Sequence, residues 1–243
     1  MAGAPFHSSS PGGSQSFFDH LEELRARIIK ASLAFIIGVI FAYPLTDPVL
    51  EFVIRPVGHL VFTSPEEAFT ARLTMCFLGG FFLSLPVLLY QIWKFVALGL
   101  TAPERKFVSV FGPLSFVFFA AGAVFAWFVL IPMSLQFLMG FASSRMQAMI
   151  TVEKYISYVG TLLIGCGIVF ELPLALAFLA RIGIATPEFL RQKRRYAIVL
   201  ILIVSAVVTP PDVISQLLMS LPLVALYEVG ILMTQFPARK TPV

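Results

Sequence analysis

The sequence predicts an all-α membrane protein of six transmembrane helices, N-in and C-in, its kinked helices forming a concave bundle with two short final spans. Three observations carry this. Of 243 residues, 58% are hydrophobic and 12% charged, whereas soluble domains run to roughly 45–50% apolar and about 25% charged. A soluble fold of this length cannot hide the excess, but lipid accepts apolar side chains pointing outward. Six apolar runs follow one another along the chain, against the about 20 residues that a spanning helix needs. Finally, Lys and Arg divide unevenly between alternate flanks of those runs. Thirteen fall on one side (Arg25, Arg27, Lys30, Lys94, Arg105, Lys106, Arg181, Arg191, Lys193, Arg194, Arg195, Arg239, Lys240) and four on the other (Arg55, Arg72, Arg145, Lys154), which makes the first side cytoplasmic. The alternation holds only if all six spans are real.

The chain divides into a disordered cytoplasmic lead at 1–16, a six-span membrane domain at 17–236 and a cytoplasmic tail at 237–243. The lead is rich in Ser, Gly and Pro, and no apolar run precedes the first charges, so the first run reads as a retained span rather than a cleaved signal. Phe17, Leu21, Leu24 and Ile28 then recur on one helical face, with Asp19, Glu22 and Glu23 elsewhere. That pattern is an amphipathic helix at the interface, in which Glu23 can pair with Arg27 at i, i+4. The first span, 28–45, contains only Lys30, which snorkels. The second, 73–93, is uncharged, and a cytoplasmic loop from Gln91 to Lys106 follows it. In that loop Pro103 and Glu104 suit the first turn of a helix, which leaves the exposed Phe95 and Leu98 unexplained. The apolar run 107–142 is too long for one span and splits at Pro132. The fourth, 155–180, contains one charge, Glu171.

The fifth run, 196–208, has 13 residues, about 20 Å of helix against a hydrocarbon core of about 30 Å. The sixth, 213–233, has 15 uncharged residues before Glu228. Thr209, Pro210, Pro211 and Asp212 join the two in a tight hairpin. Short neighbouring spans thin the bilayer or draw interfacial groups inward; the alternative is that flanking Arg and Tyr residues snorkel. Pro86, Pro113, Pro173 and Pro222 lie inside runs and tend to kink them.

Several classes are disfavoured. The net charge of +4 sits in short clusters between apolar runs, which reads as topology rather than as nucleic-acid binding. Cys76 and Cys166 fall inside apolar runs and read as small buried hydrophobes. The three histidines are scattered, with no HExxH or Cys–His cluster, so neither a metal nor a cofactor is expected. No Ser–His or paired-Asp arrangement lies in the spans, so the chain does not read as an enzyme. Glu171 is the unusual residue. A carboxylate at the bilayer centre costs at least about 2.5–3.5 kcal/mol, so it must face a cavity, a partner or the bundle interior. It is either functional or a hydrogen-bonded tie to a neighbouring helix, with Gln216 as a candidate partner.

Taken together, these motifs resemble the TatC family, the polytopic subunit of the twin-arginine protein translocase. The resemblance covers 17–236. It rests on Phe-Phe-Asp-His-Leu-Glu-Glu-Leu-Arg-Ala-Arg at 17–27, Thr-Ser-Pro-Glu-Glu-Ala-Phe at 63–69 and Gln-Ile-Trp-Lys-Phe at 91–95. Glu104-Arg105, Phe-Glu-Leu-Pro at 170–173 and Thr-Pro-Pro-Asp at 209–212 complete it. One departure is Leu98, where the family often has Pro.

The resemblance implies a receptor in the cytoplasmic membrane of a prokaryote. It would bind twin-arginine signal peptides of folded precursors and export them by the proton-motive force with TatA- and TatB-type single-span subunits. A homo-oligomer within the receptor complex, surrounded by membrane lipid, is implied as well. Carried over by motif, Leu21, Glu23, Leu24, Arg25, Phe95, Glu104 and Arg105 form the signal-peptide surface. Adjacent arginines want carboxylates that accept their planar forks, and Glu23 and Glu104 are both cytoplasmic by the charge count. Glu171, with Gln216, would serve partner docking in a concave membrane groove. The alternative reading from another class is a secondary transporter or channel for small solutes; against it, no inverted repeat is apparent.

Overall fold

The computed structural model describes residues 13–58, 60–100, 105–142, 149–209 and 212–235, with side chains from His20 onward except those of Lys106, Phe107 and Gln235. Ten α-helices, two 3-10 turns and a π-helical segment make up nearly all of it. Among the described residues the one β-type pairing is a parallel bridge between Val61 and Thr151.

The first helix, α1 (Gly13–Ala42), has 30 residues. The expected interfacial helix and first span are therefore one unbroken helix, because no Pro or Gly interrupts the chain between Phe17 and Gly38. Tyr43–Leu45 forms a 3-10 turn leading into α2 (Thr46–Ile54). Next comes α3 (Pro65–Val96), 32 residues long with Ser64 as its N-cap residue. Glu67 binds back onto the cap region, accepting from the Thr63 N–H at 2.9 Å and the Thr63 hydroxyl at 2.6 Å, a variant of the capping box. Because α3 runs on to Val96, residues 91–96 are its last turns and not the loop expected from sequence.

The fourth helix, α4 (Arg105–Phe125), passes through a π-helical segment at Ala126–Leu130 into α5 (Ile131–Met139). The chain thus stays helical through Pro132, where the sequence predicts a break. The wide turn immediately before Pro132 rearranges the backbone bonds that a proline would otherwise disrupt. At α6 (Val152–Phe170) and α7 (Leu172–Arg181) the opposite happens. Pro173 occupies the first turn of α7, and Glu171 becomes the junction residue between two helical segments. Its N–H donates to Ile168 at 3.1 Å and its carbonyl accepts from Ala175 at 2.9 Å.

The short α8 (Pro187–Gln192) is capped by Thr186, whose hydroxyl accepts from the Phe189 N–H. It precedes α9 (Arg194–Val208), 15 residues, and α10 (Val213–Gln235), 23 residues. Helix α9 is short, at about 22 Å. Helix α10 continues past Glu228, so its shortness lies in its uncharged stretch and not in its helical length. Five runs are long and apolar enough to cross a membrane: 20–54, 65–99, 108–139, 152–181 and 213–234. Together with the exposed apolar side chains on their outer faces, they make this a multi-pass membrane protein.

Packing follows small residues and aromatic clusters. Helix α1 lies along α3, α4 along α6, and α10 along α7 and α9. At the α1–α3 crossing a Cβ on Gly80 would lie 2.5 Å from Val39 Cγ2 and 2.7 Å from Val39 N. Only glycine permits that approach of backbones. Ile156, Leu162, Cys166, Met219 and Ile231 form the buried centre. Both cysteines are free and buried, as expected.

Candidate functional site

A cavity of about 760 Å³ opens between α1, α3, α4 and the α6–α7 pair. Its walls are apolar, with Leu24 and Ile28 from α1, Leu89 and Phe95 from α3, Phe119 from α4 and Phe178 from α7. Five polar side chains interrupt them: Arg27, Gln91, Trp93, Ser115 and Glu171. These divide into two hydrogen-bonded groups.

The first group sits at the basic end of the bundle. Arg27 pairs through Nη2 with Glu23 one turn away and donates from Nη1 to Gln91 Oε1 at 3.0 Å. The Arg27 side chain is 11% exposed and that of Glu23 32%. Arg27 Nε is buried with no hydrogen-bond partner among the described residues. The i, i+4 pairing was legible from sequence; Gln91, which ties it to α3, was not. Beside this group the His20 and Phe95 rings lie 4.8 Å apart between centroids, so α1 and α3 jointly build the mouth.

The second group joins three helical elements: α3, α4 and the α6–α7 junction. Trp93 Nε1 donates to Ser115 Oγ at 2.6 Å, and Ser115 Oγ donates to Glu171 Oε2 at 2.7 Å. Trp93 is stacked on Phe111 at 5.4 Å and meets Phe178 edge-on at 5.4 Å, which locks its indole in place. Glu171 Oε1 is buried and has no partner among the described residues. The protein thus holds one of the two carboxylate oxygens. This corrects the expected tie to Gln216. That side chain instead donates from Nε2 to the Leu202 carbonyl at 3.1 Å, bracing α10 against α9. Trp93 and Ser115 were missed in the sequence because a lone Ser in an apolar run and a Trp near a helix end each have an ordinary reading. A polar residue in each of three neighbouring runs was the available signal.

The other expected residues fall as follows. Leu24 and Phe95 face the groove and Glu23 its rim. Leu21 and Arg25 are exposed and do not line the cavity. Exposed Arg105 donates from Nε to the Leu100 carbonyl at 3.3 Å. Glu104, Pro210 and Pro211 lie outside the described residues. Asp212 starts α10, its Oδ1 accepting from the Ser215 N–H at 2.7 Å, the bond of a helix N-cap.

Comparison with known proteins agrees with this architecture. The family described as "Sec-independent protein translocase protein (TatC)" matches residues 19–222. A TatC from Carboxydothermus hydrogenoformans is 43% identical over 226 residues, 91% of this chain and 93% of that protein. The TatCd protein of Bacillus subtilis is 36% identical over 222 residues, 91% of this chain and 92% of that one. A crystal structure of a twin-arginine translocase receptor TatC superposes with a TM-score of 0.77 at 35% identity, covering 88% of this chain and 97% of that one. A second, in DDM, gives 0.80 at 34% identity, covering 89% and 99%. With a family match over most of its length and relatives this similar, the chain belongs to the TatC family of Sec-independent protein translocase proteins.

Proposed function

We propose that this chain is the receptor and core subunit of a twin-arginine translocase in a prokaryotic cytoplasmic membrane. It binds twin-arginine signal peptides of folded precursors at its cytoplasmic face. It then nucleates assembly with TatA- and TatB-type subunits for export driven by the proton-motive force. The observation that carries this is the groove itself: a carboxylate beside its lining, largely apolar walls, and a half-satisfied carboxyl among them. A signal peptide has the matching order, two guanidinium groups followed by an apolar stretch.

In this reading Glu23 and Glu104 accept the two arginines. Leu24 and Phe95 meet the apolar residues that follow, while Leu21, Arg25 and Arg105 form the surrounding surface. Glu171 Oε1 receives a polar group of a partner helix. Gln216 braces α9 against α10 beside such a partner. A domain plan of lead, six-span membrane unit and tail fits the basic clusters at one end of the bundle.

The test is equilibrium binding of two signal peptides, one with Arg-Arg and one with Lys-Lys, to the membrane-embedded chain. A preference for Arg-Arg of roughly tenfold or more is expected, since a bidentate charge-assisted pair exceeds a point-charge contact by about that much. The preference should vanish in the Glu23→Gln, Glu104→Gln double variant. Equal binding of both peptides by the unaltered chain would remove the receptor reading and turn attention to solute flux.

A further inference from the structure

The pair between Glu23 and Arg27 raises a question that the receptor reading leaves open. The carboxylate assigned to a ligand arginine already holds an arginine of its own chain. We infer that Arg27 is a built-in competitor for Glu23, and that displacing it sets the selectivity of the site for arginine over lysine. The inference rests on the receptor reading and deepens it.

Three features of the seat support exchange rather than a fixed strut. First, Arg27 is held from two sides, by Glu23 on its own helix and by Gln91 across the groove on α3. If Glu23 turns to a ligand, Arg27 keeps the Gln91 acceptor and is not left bare. Second, the seat is incomplete. Arg27 Nε is buried without a partner among the described residues, so the resting pair gives up a hydrogen bond that a guanidinium in water would have. Third, the partners differ in exposure: Glu23 keeps 32% of its side chain open while Arg27 keeps 11%. An incoming group reaches the carboxylate without first expelling the arginine.

Competition by a guanidinium then acts as a filter. Arg27 gives Glu23 one nitrogen, Nη2, while its Nη1 is held by Gln91; an incoming arginine can offer both nitrogens of a planar fork and so gains by the exchange. An incoming lysine offers a strongly hydrated point charge with no fork. It trades one nitrogen contact for another and must shed its hydration to do so, and the exchange runs against it. Without Arg27, lysine would need only to find an empty carboxylate.

The experiment repeats the two-peptide binding measurement on the full chain in membranes, for the unaltered protein and for Arg27→Gln and Arg27→Lys. In Arg27→Gln the Lys-Lys peptide should bind about tenfold more tightly, the scale of one charge-assisted hydrogen bond, and the Arg-to-Lys preference should shrink accordingly. Arg27→Lys, which keeps the charge but not the fork, should fall between the two. In a Glu23→Gln background, Arg27→Gln should no longer change the preference. Weaker Arg-Arg binding in Arg27→Gln, or an unchanged preference, overturns the inference and makes Arg27 a support for Glu23. Should Arg27→Gln fail to fold, Arg27→Lys decides alone, because an unchanged preference there also overturns it. Failure of the unaltered chain to prefer Arg-Arg at all defeats the receptor reading itself, and with it this inference.

Discussion

Ser115 is a small side chain on which two larger ones depend. Its oxygen accepts the Trp93 indole N–H, and its proton goes to Glu171. Ser115→Ala therefore strands a buried indole donor and a carboxylate oxygen together, and each stranded group costs about 1–3 kcal/mol. Glu171→Ala strands less. The Trp93–Ser115 bond survives, and an intramembrane carboxyl that is already half unsatisfied disappears. Thermal unfolding of the purified protein should thus show a larger loss for Ser115→Ala than for Glu171→Ala. If Glu171 supplies the group that single-span partners meet, as proposed, crosslinking to them should show the reverse order. Equal crosslinking in Glu171→Ala would return Glu171 to a purely internal role. At this scale the sequence was informative about charges and silent about their partners. Glu23, Arg27 and Glu171 stood out as ionisable groups in or beside apolar runs. Gln91 acquires meaning only once α1 and α3 are brought together, and Ser115 only once α3, α4 and the α6–α7 junction meet.

At the scale of elements, the close approach of α1 and α3 sets the mouth of the groove, because Glu23, Leu24 and Arg27 ride on one helix and Gln91 and Phe95 on the other. Gly80 permits that approach. Gly80→Leu should force the two helices apart at a cost of about 1–3 kcal/mol for overpacking and weaken Arg-Arg peptide binding, although position 80 itself lies well before the mouth. Gly99 is the matched control: a Cβ there meets nothing within 4 Å, so Gly99→Ala should stay within about 0.5 kcal/mol. Peptide titration alongside unfolding of both variants checks this, and full binding by a folded Gly80→Leu protein would show that the crossing does not govern the mouth. Helix existence was legible from apolar runs, but junctions were not. Pro132 and Pro173 look alike in sequence. A π-helical segment carries the chain through the first, while the second starts a new helix with Glu171 at the break. That difference depends on neighbouring packing, which periodicity does not encode.

At the scale of the whole molecule, the two ends differ in charge. Arg27, Lys94, Arg105 and the cluster Arg191, Lys193, Arg194 and Arg195 belong to one end, where Arg194 also pairs with Glu228 at 2.7 Å. The other end is closed by the Val61–Thr151 bridge and by the Tyr155 hydroxyl, which donates to the Val53 carbonyl at 2.9 Å. Both termini lie in the cytoplasm only if α9 crosses the membrane despite its 15 residues. Were α9 to return to its own side, α10 would run the other way and the charge asymmetry would collapse. The native cysteines are buried, so new ones can be labelled against a quiet background. Glu66 and Gln192 are both exposed and lie on opposite sides in the six-span arrangement. In right-side-out vesicles a membrane-impermeant maleimide should label Glu66→Cys directly, and Gln192→Cys only after permeabilisation. A third site at Thr234→Cys, at the end of α10, should behave like Gln192→Cys. Labelling of Thr234→Cys from the outside would mean that α9 does not cross. The proposed cytoplasmic location of the C-terminus would then fall, while the groove built by α1, α3, α4 and α7 would stand.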